Sequence, residues 1–391
     1  MNLVKSAVSK NDICIKMGIV NNVSMRILIL NFFFFVAISL ISLNAQSNEE
    51  LLSKFEPTKP NECTTKRLDQ GEGVMAKVPI QDQTKLLMCW SYAASQLIDA
   101  WRIKNDPPVP FITSPVPLGL QYAKAKMKKD LVSSYSAIDL LESVSAFKSC
   151  SYSVVKDYNN NQSNADFISS LVKTYNESKK DPNNKLHFIN QINKCLQEAG
   201  FKNSLDIEKL AVHIQHDTWM PFVDGVLQDL CKDNSKDLSN IPKPKTIRLY
   251  EQKNISNGIK SIQNLINSKL NEKNPSPIGI SFCHKVLKDR DVSSLSPIGR
   301  VDTDKCGAGA RGIHTAPIVG RRLVKFKDTD GKEYPFCQFL VRDSYGTSCA
   351  NYPDDPEITP SKVCENGQIW VDESALLTNT SEAYYLEDLK K

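Results

Sequence analysis

A single cysteine followed by a regular helical pattern near residue 90 most constrains how this chain can fold. In QTKLLMCWSYAASQLIDAWR, residues 83–102, apolar side chains after Cys89 recur at i, i+3, i+4, i+7, i+8 and i+11. That spacing predicts one buried face of a helix. The residues of this face are Trp90, Ala93, Ala94, Leu97, Ile98 and Trp101. Cys89 is therefore expected at the N-terminus of a helix that is anchored in a core.

This position bears on the reactivity of Cys89. Unpaired N–H groups and the helix dipole favour negative charge at a helix N-terminus, and so favour the thiolate, which is the nucleophilic form. A cysteine buried for packing, or one half of a disulfide, would fit the same position. The position alone leaves these alternatives open.

Composition and charge describe an ordinary globular protein. The chain has 391 residues, of which 41% are hydrophobic and 24% charged, with a formal net charge of +5. Charges of both signs are interspersed, so neither a nucleic acid nor an anionic membrane is indicated as a partner.

The N-terminal segment has the pattern of an export signal. The apolar run ILILNFFFFVAISLISL, residues 27–43, follows several basic residues and precedes Ala45 and a polar stretch. This predicts a signal peptide over residues 1–45, export to the periplasm or the medium, and no membrane association after cleavage. A retained membrane anchor is the alternative, because the run is close to the shortest that spans a bilayer.

Cysteine usage agrees with export. The chain has 11 cysteines, and all except Cys14 follow the predicted signal. In an oxidising compartment most of them are expected in disulfides, and they lack the close-set pairs of zinc ligands, so neither a metal nor another cofactor is predicted. If Cys89 is free, nine cysteines remain after the predicted signal. Because nine is an odd number, a second thiol must be free or joined to another chain.

The surroundings of Cys89 resemble those of a known nucleophile. Gln83, five residues, and then Cys-Trp-Ser-Tyr-Ala-Ala are similar to the nucleophile segment of the papain family of cysteine peptidases. The resemblance implies that the Gln83 side chain and the backbone N–H of Cys89 stabilise the oxyanion of a tetrahedral intermediate. It also implies that Trp90 lies near bound substrate.

A thiolate nucleophile needs an imidazole partner, and five histidines are available. His314 lies in GIHTAPIVG, a glycine turn followed by a short apolar strand, which is where the papain family places its catalytic histidine. His284 follows Cys283 at the end of a predicted strand and is the weaker rival for the role of base. His213 and His216 lie on a predicted helix and are interpreted as structural.

The third part of the expected site is RDSYGT, residues 342–347, which resembles the papain-family segment Asn-Ser-Trp-Gly-Thr. Asp343 stands in place of the asparagine and Tyr345 in place of the tryptophan. A carboxylate orients an imidazole as well as an amide does, but it makes the imidazolium a poorer proton donor. Tyr345 is expected to shield the histidine–aspartate bond and, like Trp90, to lie at the substrate site. The segment ENGQIWV, residues 365–371, matches the strand that follows in the family.

The resemblance implies an α+β fold with a helical lobe and an antiparallel, β-barrel-like lobe. Mapped on this chain, a papain-like domain covers 46–391, with the helical lobe at about 75–156, an inserted helical region at about 157–256 and the β lobe at about 257–391. The alternative for 157–256 is an elaboration of surface loops. Two disulfides are expected, Cys349–Cys364 closing a loop and Cys195–Cys231 within the insertion.

The predicted function is that of an exported cysteine peptidase, of bacterial type, that acts on proteins or peptides. Two alternatives remain open. One is a non-catalytic relative that binds a partner, and the other is an acyl- or amide-transferring enzyme on the same framework.

Overall fold

The structure is a computed structural model that describes residues 56–105, 111–126, 136–156, 158–159, 162–201, 205–252, 254–288, 312–327, 330–352 and 362–389. The predicted signal peptide, 1–45, lies outside the described residues. The described chain is α+β, as predicted, with helices packed against an antiparallel sheet.

The helices are α1 (Cys89–Asn105), α2 (Pro115–Ala125), α3 (Ala137–Ser143), α4 (Asn164–Lys180), α5 (Lys185–Glu198), α6 (Ile207–His213), α7 (Trp219–Cys231), α8 (Ile255–Asn271), α9 (Lys285–Lys288) and α10 (Glu373–Thr378). The strands are β1 (Lys66–Arg67), β2 (Lys148–Cys150), β3 (Tyr158–Asn159), β4 (Gln162–Ser163), β5 (Ser235–Asp237), β6 (Pro244–Arg248), β7 (Ile278–Cys283), β8 (Ile313–Lys327), β9 (Glu333–Arg342), β10 (Lys362–Glu365), β11 (Gln368–Asp372) and β12 (Thr380–Leu386).

The main sheet has the order β10-β11-β9-β8-β7-β12-β6, and β1 also pairs with β8. All of these pairs are antiparallel. The described strands do not close into a barrel, because β10 and β6 each have a single neighbour. β6 falls in the range 157–256, yet it extends the sheet beside β12.

Two hydrophobic cores divide the described chain into a helical and a β lobe. The helical core takes residues from α1 through α7, so the helices α4–α7 of the predicted insertion share one core with α1–α3. The second core lies between the sheet and helices α8 and α10. Helix α1 contributes Trp90 and Leu97 to the first core and Ala100 to the second.

Helix α1 is more deeply buried than its apolar stripe predicted. Every residue from Cys89 to Arg102 is buried, because α2 and α3 pack on one side and β7, β8 and β12 on the other. Two of the buried polar residues of the helix have specific partners. The Asp99 carboxylate accepts from the backbone N–H of Thr113 (2.9 Å), and Ser95 Oγ donates to Gln81 Oε1 (3.2 Å). A buried polar side chain is tolerated when it is hydrogen-bonded in this way.

The disulfides confirm one prediction and correct another. Cys349–Cys364 is present, as predicted. The predicted Cys195–Cys231 pair is wrong, because Cys231 bonds Cys150. The reason is a non-local strand pair, since β5 follows α7 and pairs with β2, which carries Cys150. Cys195 is a free, partly buried thiol, so the described residues include a second free thiol besides Cys89.

Three further disulfide-bonded cysteines belong to the β lobe. Cys63 pairs with Cys337 of β9, and Cys283 at the end of β7 is also disulfide-bonded.

None of the helices in the described ranges combines the length and the apolar character that crossing a membrane requires.

Candidate active site

Cys89 lies at the junction between the helical lobe and the sheet. It is the first residue of α1, as predicted, and its thiol is free and 5% exposed. The sulfur hydrogen-bonds the ring of His314, which is the second residue of β8 and pairs with Phe282 of β7. Packing of α1 against β8 therefore brings together two side chains that are far apart in the sequence.

His314 is held on its other side by Asp343. The distance from His314 Nε2 to Asp343 Oδ1 is 2.5 Å, and both side chains are buried. Asp343 directly follows β9, which pairs with β8, so neighbouring strands set this contact. Because Nε2 bonds the carboxylate, Nδ1 is left for the Cys89 sulfur.

The electrostatics favour a positively charged His314. Burial alone would lower the pKa of this imidazole, but the charges of Asp343 and Cys89 outweigh burial and raise the pKa to about 10. Burial would likewise raise the pKa of Asp343, but the charge of His314, its hydrogen bond and the nearby His284 hold that pKa far below its ordinary value. The ionised pair Asp343⁻–His314⁺ is therefore the stable form at neutral pH.

Gln83 is positioned by the two residues after Asp343. Its backbone N–H donates to the Ser344 carbonyl (2.7 Å), and its side-chain Oε1 accepts from Ser344 Oγ (3.0 Å). With the oxygen occupied, the NH₂ end is the part of the side chain available as a donor. The side chain also hydrogen-bonds Tyr345, which interacts electrostatically with Cys89.

Tyr345 lies beside the histidine, where the sequence placed it. Its ring is nearly parallel to that of His314, with centroids 5.9 Å apart and an interplanar angle of 12°. Burial and the charge of Asp343 raise the pKa of Tyr345 to about 12, so its hydroxyl keeps its proton at neutral pH. Whether Tyr345 contacts substrate stays a prediction.

Trp90 has a different role from the one predicted. It is 0% exposed and belongs to the helical core, where its ring packs at 5.5 Å from that of Tyr122. A side chain without exposed surface cannot line a binding cleft, so Trp90 anchors α1 instead.

Two residues near Asp343 were missed or undervalued at the level of sequence. His284 stacks on His314 with centroids 4.4 Å apart and 23° between the planes, and its Nε2 lies 3.8 Å from Asp343 Oδ2. Tyr352 donates its hydroxyl to the same Oδ2 at 2.7 Å. The place of His284 after β7 was a usable signal, because β7 pairs with β8. Nothing in the sequence marked Tyr352.

His284, His314 and Asp343 also form a group whose ligand atoms lie within 4.8 Å of one another, which is close enough to share a metal ion. Both oxygens of Asp343 already accept hydrogen bonds, from His314 and Ser344 on Oδ1 and from Tyr352 on Oδ2. The nearly parallel rings place their nitrogens side by side rather than aimed at one point. This geometry suits a hydrogen-bond network better than a metal centre.

The remaining histidines lie in the helical lobe. His213 Nε2 is 2.9 Å from Asp229 Oδ2, the ring of His216 stacks beside His213 at 6.2 Å, and His187 contacts Gln191 (2.9 Å). None of these contacts involves Cys89.

Comparisons with known proteins give matches of fold only. No protein-family model and no curated protein matches the chain. Similar solved structures include the clostridial cysteine protease Cwp84 after propeptide cleavage, with 13% identity, 82% of this chain and 58% of that chain covered, and a TM-score of 0.37. Another is xylellain, a cysteine protease from Xylella fastidiosa, with 12% identity, 86% and 91% coverage and a TM-score of 0.39. A third is the SERA5 proenzyme from Plasmodium falciparum, with 11% identity, 84% and 67% coverage and a TM-score of 0.43. Scores this low carry no function to this chain.

Proposed function

We propose that the chain is an exported cysteine peptidase that hydrolyses peptide bonds through a thioacyl intermediate. The observation that carries the proposal is the contact of the Cys89 thiol, at a helix N-terminus, with an imidazole that a buried carboxylate holds. A nucleophile, a base and a group that orients the base are the parts that acyl transfer by a thiol requires.

In the first step the Cys89 thiolate attacks the scissile carbonyl carbon. The side-chain amide of Gln83 and the backbone N–H of Cys89 stabilise the oxyanion that forms. His314 gives its proton to the leaving amine, the carbon–nitrogen bond breaks, and a thioester to Cys89 remains. Asp343 keeps the ring in the tautomer and orientation that this transfer needs.

In the second step a water molecule attacks the thioester while neutral His314 takes its proton. The carbon–sulfur bond breaks, the carboxylic acid product leaves, and the Cys89–His314 pair is restored. Three disulfides between described cysteines and the apolar segment 27–43 support export, because disulfides persist in oxidising compartments.

The test combines peptide digestion with labelling of the nucleophile. The purified protein is incubated with a diverse peptide mixture and, separately, with a thiol-reactive epoxide, and the products are identified by mass spectrometry. We expect cleavage and labelling at Cys89, and the loss of both in Cys89→Ala. Cys195→Ala is the matched control, since Cys195 is the other free thiol in the described chain and lies on α5.

Retained cleavage in Cys89→Ala would refute the proposed nucleophile. An added amine acceptor separates the alternatives, since amide products in place of free acids would identify a transferase. Binding of peptides without any cleavage would identify a non-catalytic relative.

A further inference from the structure

The carboxylate of Asp343 has more donors than orienting one imidazole requires. Oδ1 accepts from His314 Nε2 (2.5 Å) and from the backbone N–H of Ser344 (2.6 Å). Oδ2 accepts from the Tyr352 hydroxyl (2.7 Å) and lies 3.8 Å from His284 Nε2. Two carboxylate oxygens offer about four lone-pair directions. Three donors occupy them with hydrogen bonds, and His284 lies beside the carboxylate at a longer, electrostatic distance.

This crowding has a chemical consequence because the orienting group is charged. A full negative charge aimed at His314 would hold the imidazolium so tightly that it protonates a leaving amine poorly. A donor on Oδ2 turns the positive end of its dipole toward the carboxylate, and so reduces the negative potential at the His314 ring.

We propose that Tyr352 and His284 are positioning residues that share the Asp343 carboxylate with His314 and so temper the charge that Asp343 presents to the His314 ring. Their part in catalysis rests on the peptidase function proposed above, whereas the sharing of charge does not.

Both residues are built into the fold. Tyr352 is 6% exposed, and its backbone N–H donates to the carbonyl of Cys349 (3.0 Å), which the disulfide to Cys364 ties to β10. His284 follows disulfide-bonded Cys283, and its backbone N–H donates to the Gly312 carbonyl (2.8 Å) at the start of β8. Neither side chain is a mobile surface group that meets Asp343 by chance.

The titratable groups that face the Cys89–His314 pair come from several elements. Besides Cys89 on α1, they are His284 after β7, Asp343 and Tyr345 after β9, and Tyr384 on β12. Tyr352 acts on the pair indirectly, by its hydrogen bond to Asp343. Burial and the charge of Asp343 hold the pKa of Tyr352 far above its ordinary value, so Tyr352 is a neutral donor throughout the range of the test.

The test measures the pKa of His314 directly, in the full chain with isotopically labelled histidine, by NMR titration of the imidazole signals. We expect Tyr352→Phe to raise that pKa by about half a unit to one unit, as for the loss of one charge-assisted hydrogen bond. His284→Phe is expected to raise it by a smaller amount, because His284 Nε2 lies 3.8 Å from the carboxylate. His284→Phe keeps a ring stacked on His314, and His284→Gln, which keeps an N–H donor, is expected to restore part of the shift.

Matched controls are Tyr175→Phe, whose hydroxyl donates to the backbone of His216, and His213→Gln, which removes a histidine–aspartate contact in the helical lobe. Neither is expected to move the pKa of His314. In an Asp343→Asn background the Tyr352 and His284 substitutions are expected to lose their effect, because the shared charge is gone. A pKa of His314 that falls or stays constant in both Phe variants, or an equal shift without Asp343, would overturn the proposal.

A kinetic comparison ties the same residues to the proton transfer. Amide substrates need a protonated leaving amine and activated esters do not, so both Phe variants are expected to lose several-fold more kcat on the amide than on the ester. An equal loss on both substrates would assign the two residues a merely structural role. Absence of peptide cleavage by the parent protein would overturn the peptidase function alone, because the NMR result does not depend on turnover.

Discussion

Replacing Asp343 with asparagine tests how much of the basicity of His314 comes from one charge. The side chain keeps its size and its contact at 2.5 Å, but loses its charge at a site with 0% exposure. Opposite unit charges about 4 Å apart attract by about 4 kcal/mol at an effective dielectric constant of about 20, which corresponds to about three pKa units. The pKa of His314, raised to about 10 in the present site, should fall to about 7 in Asp343→Asn.

The assay is the pH dependence of kcat/KM for a peptide substrate, together with the rate of alkylation of Cys89, across the neutral and alkaline range. The alkaline limb reports deprotonation of His314, so it should move to lower pH by the same amount. Asp229→Asn is the matched control, because it removes the carboxylate of the His213–Asp229 contact (2.9 Å). An alkaline limb that moves by less than about half a unit would show that the charge of Asp343 does not set the basicity of His314.

Three further predictions concern stability. The raised pKa of His314 stabilises the folded state. This contribution is fully present below about pH 6.5, the pKa of histidine in the unfolded chain, and it is lost as the pH rises through about 10. Asp343, whose pKa is lowered, contributes above its unfolded value of about 3.9 and loses that contribution as the pH falls. The denaturant midpoints of the parent and Asp343→Asn should therefore differ most between about pH 4 and pH 6.5 and converge in strong alkali. A constant difference would contradict this linkage. Replacing Cys349 and Cys364 by serine opens a loop with a sequence separation of 15 residues and should lower the free energy of unfolding by about 3 kcal/mol, measured without reductant. Trp90→Ala should cost about 3–5 kcal/mol in the same assay, whereas a loss below about 1 kcal/mol would mean that Trp90 is not a core anchor.

Local patterns made much of the site predictable. The spacing of apolar residues after Cys89 predicted the start of α1, because helical periodicity is a short-range property of the chain. His314 and Asp343 were predicted because their segments resemble those of the papain family, and in the structure adjacent strands bring the two residues together.

What the sequence could not show depends on contacts between distant segments. The pairing of β2 with β5 decides that Cys150, and not Cys195, reaches Cys231. The place of Tyr352 follows from how the disulfide at Cys349 returns the chain to the sheet. The burial of the polar residues of α1, such as Ser95 and Asp99, follows from elements packing on both sides of this helix, which its apolar stripe does not specify.

The shared position of α1 limits how the helical lobe and the β lobe can move relative to each other. Because this helix is part of both hydrophobic cores, swinging the lobes apart would expose apolar side chains along its length, at about 25 cal/mol for each Å² uncovered. A hinge motion between the lobes would therefore carry a free-energy cost that rises with the apolar area uncovered on α1. If the proposed peptidase function holds, we expect Cys89 to keep its place on this helix while the side chains around it rearrange.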